Sequence, residues 1–283
     1  MAHAALPFDI FGDAAPRSPI ILSVPHAGRD YPLALRAALR VPVGALLPLE
    51  DRHVDMLALA ARGHETVIVQ RLARAWIDLN RAEHERDPVI DEGAQRQAAP
   101  HASAKVRGGL GLVPRRVPGC GEIWRRPLDG MDVSTRIERD YRPYHGAVAR
   151  LLSMARARYG CAILLDLHSM PPLGAKEPRI VLGDRFGRSA GGRFVRLLED
   201  VCVAHGARVA LNAPYAGGHI LDRHACPAGN IHAIQVEFDR SLYLDPALDG
   251  PGDGFGPAVR MLRAMIDALA DEASALPEVI AAE

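Results

Sequence analysis

Cysteine is scarce in this chain of 283 residues: four are present, Cys120, Cys161, Cys202 and Cys226, and no two form a Cys-x-x-Cys pair. That spacing argues against a structural zinc knuckle and against a disulfide-stapled scaffold, so the thiols are read as reduced. Net charge is missing as well. Lysine plus arginine equals aspartate plus glutamate at 34 each, which leaves no overall positive field to hold a polyanion by counterion release. Nucleic acid and anionic membrane are therefore not expected as partners. No apolar run approaches the length that spans a bilayer, and Met1 to Asp13 lack the basic-then-apolar pattern of a secretory leader. A cytoplasmic address is the expectation.

What the chain does contain is a set of short apolar runs alternating with helical patterns. PIILSVP (Pro19 to Pro25) reads as a strand buried on both faces, and TVIVQRL (Thr66 to Leu72) as the next. Between them, from Asp51 to Arg62, Val54, Leu57, Ala58 and Ala61 recur at helical spacing and Gly63 supplies the stop. From Ala82 to Asp132 periodicity fails, and glycine, proline and arginine dominate, as in GGLGLVPRRVPGCGEIWRRPLDG. An irregular stretch of that length inside a compact domain is usually functional or disordered, and a lid over the site is one use for it. A helical pattern returns over Val133 to Tyr159, with Pro143 marking a kink or boundary. Further strands are expected at CAILLDLHSM (Cys161 to Met170), RIVLGD (Arg179 to Asp184), RVALNAP (Arg208 to Pro214) and IHAIQVEF (Ile231 to Phe238), with helices near Ser189 to His205 and Pro257 to Glu272. Strands alternating with helices predict an α/β fold, one domain over 1–283, with a mostly parallel or mixed central sheet flanked by helices.

Three of the buried strands end in reactive side chains: His26 in PHAG, then Asp166, His168 and Ser169 in DLHS, then Gln235 and Glu237 in QVEF. In open α/β sheets the ligand crevice lies outside the carboxyl ends of the strands, so residues distant in sequence can meet there. Two histidines and a carboxylate are enough to hold zinc with one position open for water, and a further glutamate can serve as general base. WIDLNR (Trp76 to Arg81), read as the end of another extended segment, adds Asp78, Asn80 and Arg81. A guanidinium beside an amide suits a carboxylate, although a plain Asp78–Arg81 salt bridge accounts for the motif equally well. Arg74 and Arg223 are further candidates for substrate binding.

PHAG, LEDRHVDML, ARAWIDLNR, YRPYH, DLHS, YAGGHI and IHAIQVE stand in the order found in N-formylglutamate amidohydrolases, and over about Ser18 to Tyr243 the chain resembles that family. The family is in turn similar to the zinc carboxypeptidase and aspartoacylase group. The resemblance implies metal histidines at His26 and His168, a carboxylate clamp at Asn80 and Arg81, and a catalytic glutamate at Glu237. One position departs from the carboxypeptidase pattern, because Arg29 stands where a metal-binding glutamate is usual. Asp51, two residues before His53, is the third ligand that the resemblance points to. Its other reading is the N-cap of the helix that begins there, with Asp55 as a weaker alternative ligand.

The same resemblance makes His219, after the flexible pair Gly217 and Gly218, and His232 candidates for the substrate site, and leaves His145 of YRPYH as a structural member of its helix. The implied activity is zinc-dependent cleavage of a small acidic N-acyl amino acid, N-formylglutamate first, to formate and glutamate, with Glu237 moving the proton. Another N-acyl amino acid or small peptide as substrate, or a non-catalytic carboxylate-binding relative, are the competing readings.

Overall fold

A computed structural model describes residues 6–94, 103–174 and 176–275. In chain order the main elements are β1 (Phe8–Phe11), β2 (Ile20–Val24), α1 (Leu33–Ala38), α2 (Val54–Ala61), β3 (Thr66–Gln70), α3 (Ala104–Arg107), β4 (Arg116–Val117), β5 (Gly121–Glu122), α4 (Gly130–Arg136), α5 (Arg142–Tyr159), β6 (Ala162–Met170), β7 (Ile180–Gly183), α6 (Gly192–Ala204), β8 (Val209–Leu211), α7 (His219–His224), β9 (Ile231–Asp239) and α8 (Phe255–Ser274). Among the described residues, seven strands form one mixed sheet in the order β1-β3-β2-β6-β9-β7-β8, and β4 and β5 make a separate hairpin. β2 and β9 both run parallel to β6, while β7 runs antiparallel to β9. The expected α/β fold with a mixed sheet flanked by helices is therefore present.

Contacts divide the chain into two compact units, neither continuous in sequence. One comprises the described parts of Ile10–Val24, Arg52–Ile68 and Val148–Glu283. Its centre is β6, where every residue from Ala162 to Met170 is buried. That is the behaviour of an apolar run covered on both faces, and it is why the run shows no alternation. α8 packs there on a stripe of Ala258, Met261, Leu262, Met265, Ile266, Leu269 and Ala273, the three-and-four spacing of a core-facing helix. Pro257 sits in its first turn, where a missing N–H costs nothing.

α2 begins later than Asp51. Its N-cap is His53, held in the left-handed region at φ 57°, with its imidazole bonded to the Asp249 carbonyl at 2.6 Å. Asp51 is therefore not the helix cap.

The other unit comprises the described parts of Met1–Asp9, Pro25–Asp51 and Val69–Ala147. It holds most of the irregular 82–132 stretch, of which 95–102 lie outside the described residues. The described part is ordered by arginine–aspartate pairs more than by secondary structure: Arg86 Nη2 to Asp91 Oδ1 at 2.7 Å and Arg115 Nε to Asp87 Oδ2 at 2.6 Å. Leu112, Val113, Val117, Ile123, Trp124 and Leu128 are all buried in it.

Near the start of β9, His232 is 4% exposed, its Nδ1 accepts the Gly191 N–H at 3.3 Å, and its ring lies against Phe194. Burial, aided by the Arg193 charge, pushes its pKa down from 6.5 to about 4. The unfolded chain thus takes up this proton first as pH falls, so the stability contribution is complete above the unfolded value and is lost as pH drops through the window down to about 4. Denaturant unfolding should show stability falling between about pH 7 and about pH 5, by on the order of 2 kcal/mol for such a histidine. His232→Asn should reduce that slope, and an unchanged slope in the variant would remove His232 as a cause.

Candidate metal centre and carboxylate clamp

His26 follows the last residue of β2 by two positions, so the buried strand delivers it to the carboxyl edge of the sheet. The turn after it needs Gly28, where a Cβ would stand 2.2 Å from the Leu72 carbonyl oxygen. The imidazole is 1% exposed. Its Nε2 lies 2.7 Å from Asp78 Oδ1 and its Nδ1 3.6 Å from Asp51 Oδ2. The Asp51 N–H donates to the His26 carbonyl at 3.0 Å, tying the two segments together.

Asp78 is fully buried. Besides His26, its carboxylate accepts the Asn80 N–H at 2.8 Å and the Arg74 guanidinium, from Nε and Nη2, at 2.9 Å each. Burial alone would raise its pKa, but the charges of Arg74, His26 and Arg81 outweigh it and hold the group well below the usual carboxylate range. WIDLNR is accordingly a run of turns rather than the extended segment expected, because Asp78 folds the backbone back through the Asn80 N–H. The anticipated Asp78–Arg81 pair is long, at 4.0 Å, and Arg74 is the arginine that pairs closely. Arg81 is buried, with Nε donating to the Leu110 carbonyl at 2.8 Å and Nη1 to the Asn80 carbonyl at 2.7 Å. Three of the five guanidinium N–H groups remain outside those two bonds.

In the unit built on β6, His168 is 3% exposed and its Nε2 lies 2.9 Å from Asp166 Oδ2. The other oxygen of Asp166 accepts the Ser23 hydroxyl at 2.7 Å. The parallel register pairs His168 with Glu237 and Asp166 with Gln235, so the period of two puts all four side chains on one face. Gln235 Nε2 donates to Glu237 Oε1 at 2.8 Å, fixing the carboxylate beside the histidine.

His219 opens α7 half-buried, and Arg223 on the same helix is exposed. Gly217 is left-handed at φ 95° and packs where a Cβ would strike Leu221, which accounts for the glycine without a ligand. His232 lies at the opposite end of β9 from Glu237. His224 escaped the sequence reading. It is buried in α7, and its pKa is pushed down to about 4 by burial first, then by Arg223 and His219, against the pull of Asp166. Only its place in the fold gives it interest, because DRH carries no distinctive spacing.

Of the expected metal ligands, His26 and Asp51 are buried side by side in one unit, and His168 is buried in the other. Asp55 is half-buried in the first turn of α2, and Arg29 is exposed.

The family profile described as N-formylglutamate amidohydrolase matches residues 18–244. The chain belongs to that family. It is 34% identical over 236 residues to an N-formylglutamate deformylase of Pseudomonas putida, covering 81% of this chain and 83% of the relative. It is 29% identical over 241 residues to another of that description from Pseudomonas aeruginosa, with the same coverage. The crystal structure of an N-formylglutamate amidohydrolase from Ralstonia eutropha JMP134 superposes with a TM-score of 0.84 at 29% identity, over 95% of this chain and 99% of the other. In the family's terms, the motifs from PHAG to IHAIQVE all fall within the matched span.

Asp78 is fully buried, and the side chain of Arg74 is four-fifths so. Asp78→Asn should therefore destabilise the protein by roughly 3–5 kcal/mol, since removing one member of a buried ion pair leaves the other uncompensated. Urea unfolding measures it. A loss below about 1 kcal/mol, the range of an exposed pair, would mean that Arg74 and His26 do not depend on this charge.

Proposed function

We propose that this protein hydrolyses the amide of N-formylglutamate, releasing formate and glutamate, with zinc held by His26, Asp51 and His168. The observation that carries the reading is the likeness to proteins described as N-formylglutamate deformylases over four-fifths of the chain. The donor set supports the metal: two imidazoles and one carboxylate, all buried, are the usual protein share of an open catalytic zinc site. Each imidazole also keeps its Nε2 on a buried aspartate, Asp78 or Asp166, the partner that orients such a ring and raises its basicity. Zinc in a site of this kind supplies Lewis acidity toward the amide carbonyl and toward water.

The remaining steps belong to the chain's own side chains. Glu237 takes a proton from the attacking water and delivers it to the nitrogen of glutamate as the C–N bond breaks, so that water's oxygen ends in formate. Gln235 holds Glu237 Oε1 through both transfers. Asn80 and Arg81 grip a substrate carboxylate, Arg81 with the N–H groups outside its two carbonyl bonds, and this sets the formamide against the reacting groups.

Metal analysis should find about one zinc per chain. His26→Ala and His168→Ala should lose it, and Asp51→Asn should lose it far more readily than Asp55→Asn. Equal retention by the two aspartate variants would remove Asp51 from the ligand set. Glu237→Gln should keep zinc and substrate affinity while kcat falls on the order of a hundredfold to ten-thousandfold. Near-normal turnover with zinc in place would defeat Glu237 as the base, and loss of zinc would make it a ligand.

A further inference from the structure

The segment that carries Asp78, Asn80 and Arg81 has no ladder of its own, and one helical face engages it at successive points. Trp76 Nε1 donates to Asp140 Oδ2 at 2.7 Å. Arg136 Nη1 donates to the Trp76 carbonyl at 3.1 Å, and its guanidinium lies 3.7 Å over the Trp76 ring. His145 Nε2 donates to the Leu79 carbonyl at 3.0 Å, and the Tyr141 hydroxyl donates to the Arg81 carbonyl at 2.7 Å. The last two carbonyls flank Asn80.

A continuous α-helix would not present those four side chains together. At about 100° per residue, Arg136 and Asp140 share a face, whereas Tyr141 and His145 point well round the axis. Between α4 and α5, however, Ile137–Tyr141 form a π turn, closed by the Arg142 N–H on the Ile137 carbonyl. Pro143, which brings no N–H to the ladder, comes two residues after it. The extra residue turns everything after it back by about 100°, and that rotation aligns Tyr141 and His145 with Arg136 and Asp140.

We propose that this π turn is a register device for the carboxylate clamp, and that Tyr141 and His145 are positioning residues acting through Asn80 and Arg81. The proposal rests on the functional reading above, in which those two residues hold the substrate. The coupling is short. Arg81 Nη1 bonds the Asn80 carbonyl, so the peptide planes from Leu79 to Arg81 set the direction of the guanidinium. Those planes are fixed by the two donors from the helix. The YRPYH motif thereby gains a reason for its spacing: Tyr141 and His145 lie one α-turn apart and grip carbonyls two residues apart.

The test is steady-state kinetics of the zinc-loaded full chain on N-formylglutamate and on its two mono-amides. Tyr141→Phe keeps the packed ring and deletes only the hydroxyl. It should raise KM for the diacid roughly tenfold, the scale of one buried carbonyl left without its donor, while kcat and zinc content hold. The mono-amide that lacks the gripped carboxylate should show no such rise. Trp76→Phe, which keeps an aromatic face under Arg136 but drops the bond to Asp140, should give the same pattern more weakly and serves if Tyr141→Phe folds poorly. A lower melting temperature with unchanged KM in both variants would overturn the proposal, making these bonds structural only. Arg81→Lys separates the two layers. If it raises KM for the diacid while Tyr141→Phe does not, only the positioning role fails. If it leaves the preference for the diacid intact, the clamp fails and the proposal with it.

Discussion

A single buried carboxylate organises the unit that holds His26. Removing a carboxylate from water costs several kcal/mol unless charge and hydrogen bonds replace the lost solvent, and around Asp78 they do: Arg74, the His26 ring and the Asn80 N–H all converge on it. Each of those contacts decides something else. The bond to His26 turns that ring so that Nδ1 faces Asp51. The bond to the Asn80 N–H forces the turn that presents Asn80 and Arg81. The pair with Arg74 withdraws that arginine from the pool of free cations, although the sequence presents it on the same terms as the others.

The arrangement recurs at His168, whose Nε2 rests on Asp166, itself held by Ser23. Two imidazoles from different segments thus each set Nε2 against a buried aspartate of their own. A carboxylate at that nitrogen orients the ring and raises its basicity.

The parts of this design that announce themselves in the sequence are those with a period. β6 and β9 are legible because runs buried at every position but Ile231 must be largely apolar, and among the polar exceptions Asp166, His168, Gln235 and Glu237 share the one face that the proposed function uses. α8 is legible from its three-and-four stripe. WIDLNR misleads, because its alternation of apolar and polar residues imitates a strand while one aspartate side chain bends it into turns. The π turn is silent: IERDY has no composition that distinguishes it from an α-helical stretch, and only the proline that follows hints at a disturbance. Asp51 looks like a cap because an aspartate before an apolar helical pattern usually is one. The left-handed His53, tied to Asp249, moves the helix start past it.

The pairing of β6 with β9 carries a consequence for how this chain can vary in length. His168 and Glu237 are neighbours only because nine consecutive positions of the two strands match without a bulge. A single inserted residue within either strand before those positions would send the downstream side chains to the opposite face of the sheet. The segments outside the strands have no such arithmetic. Insertions and deletions should therefore be tolerated in the connection after Met170 and be excluded from Ala162–His168 and Ile231–Glu237.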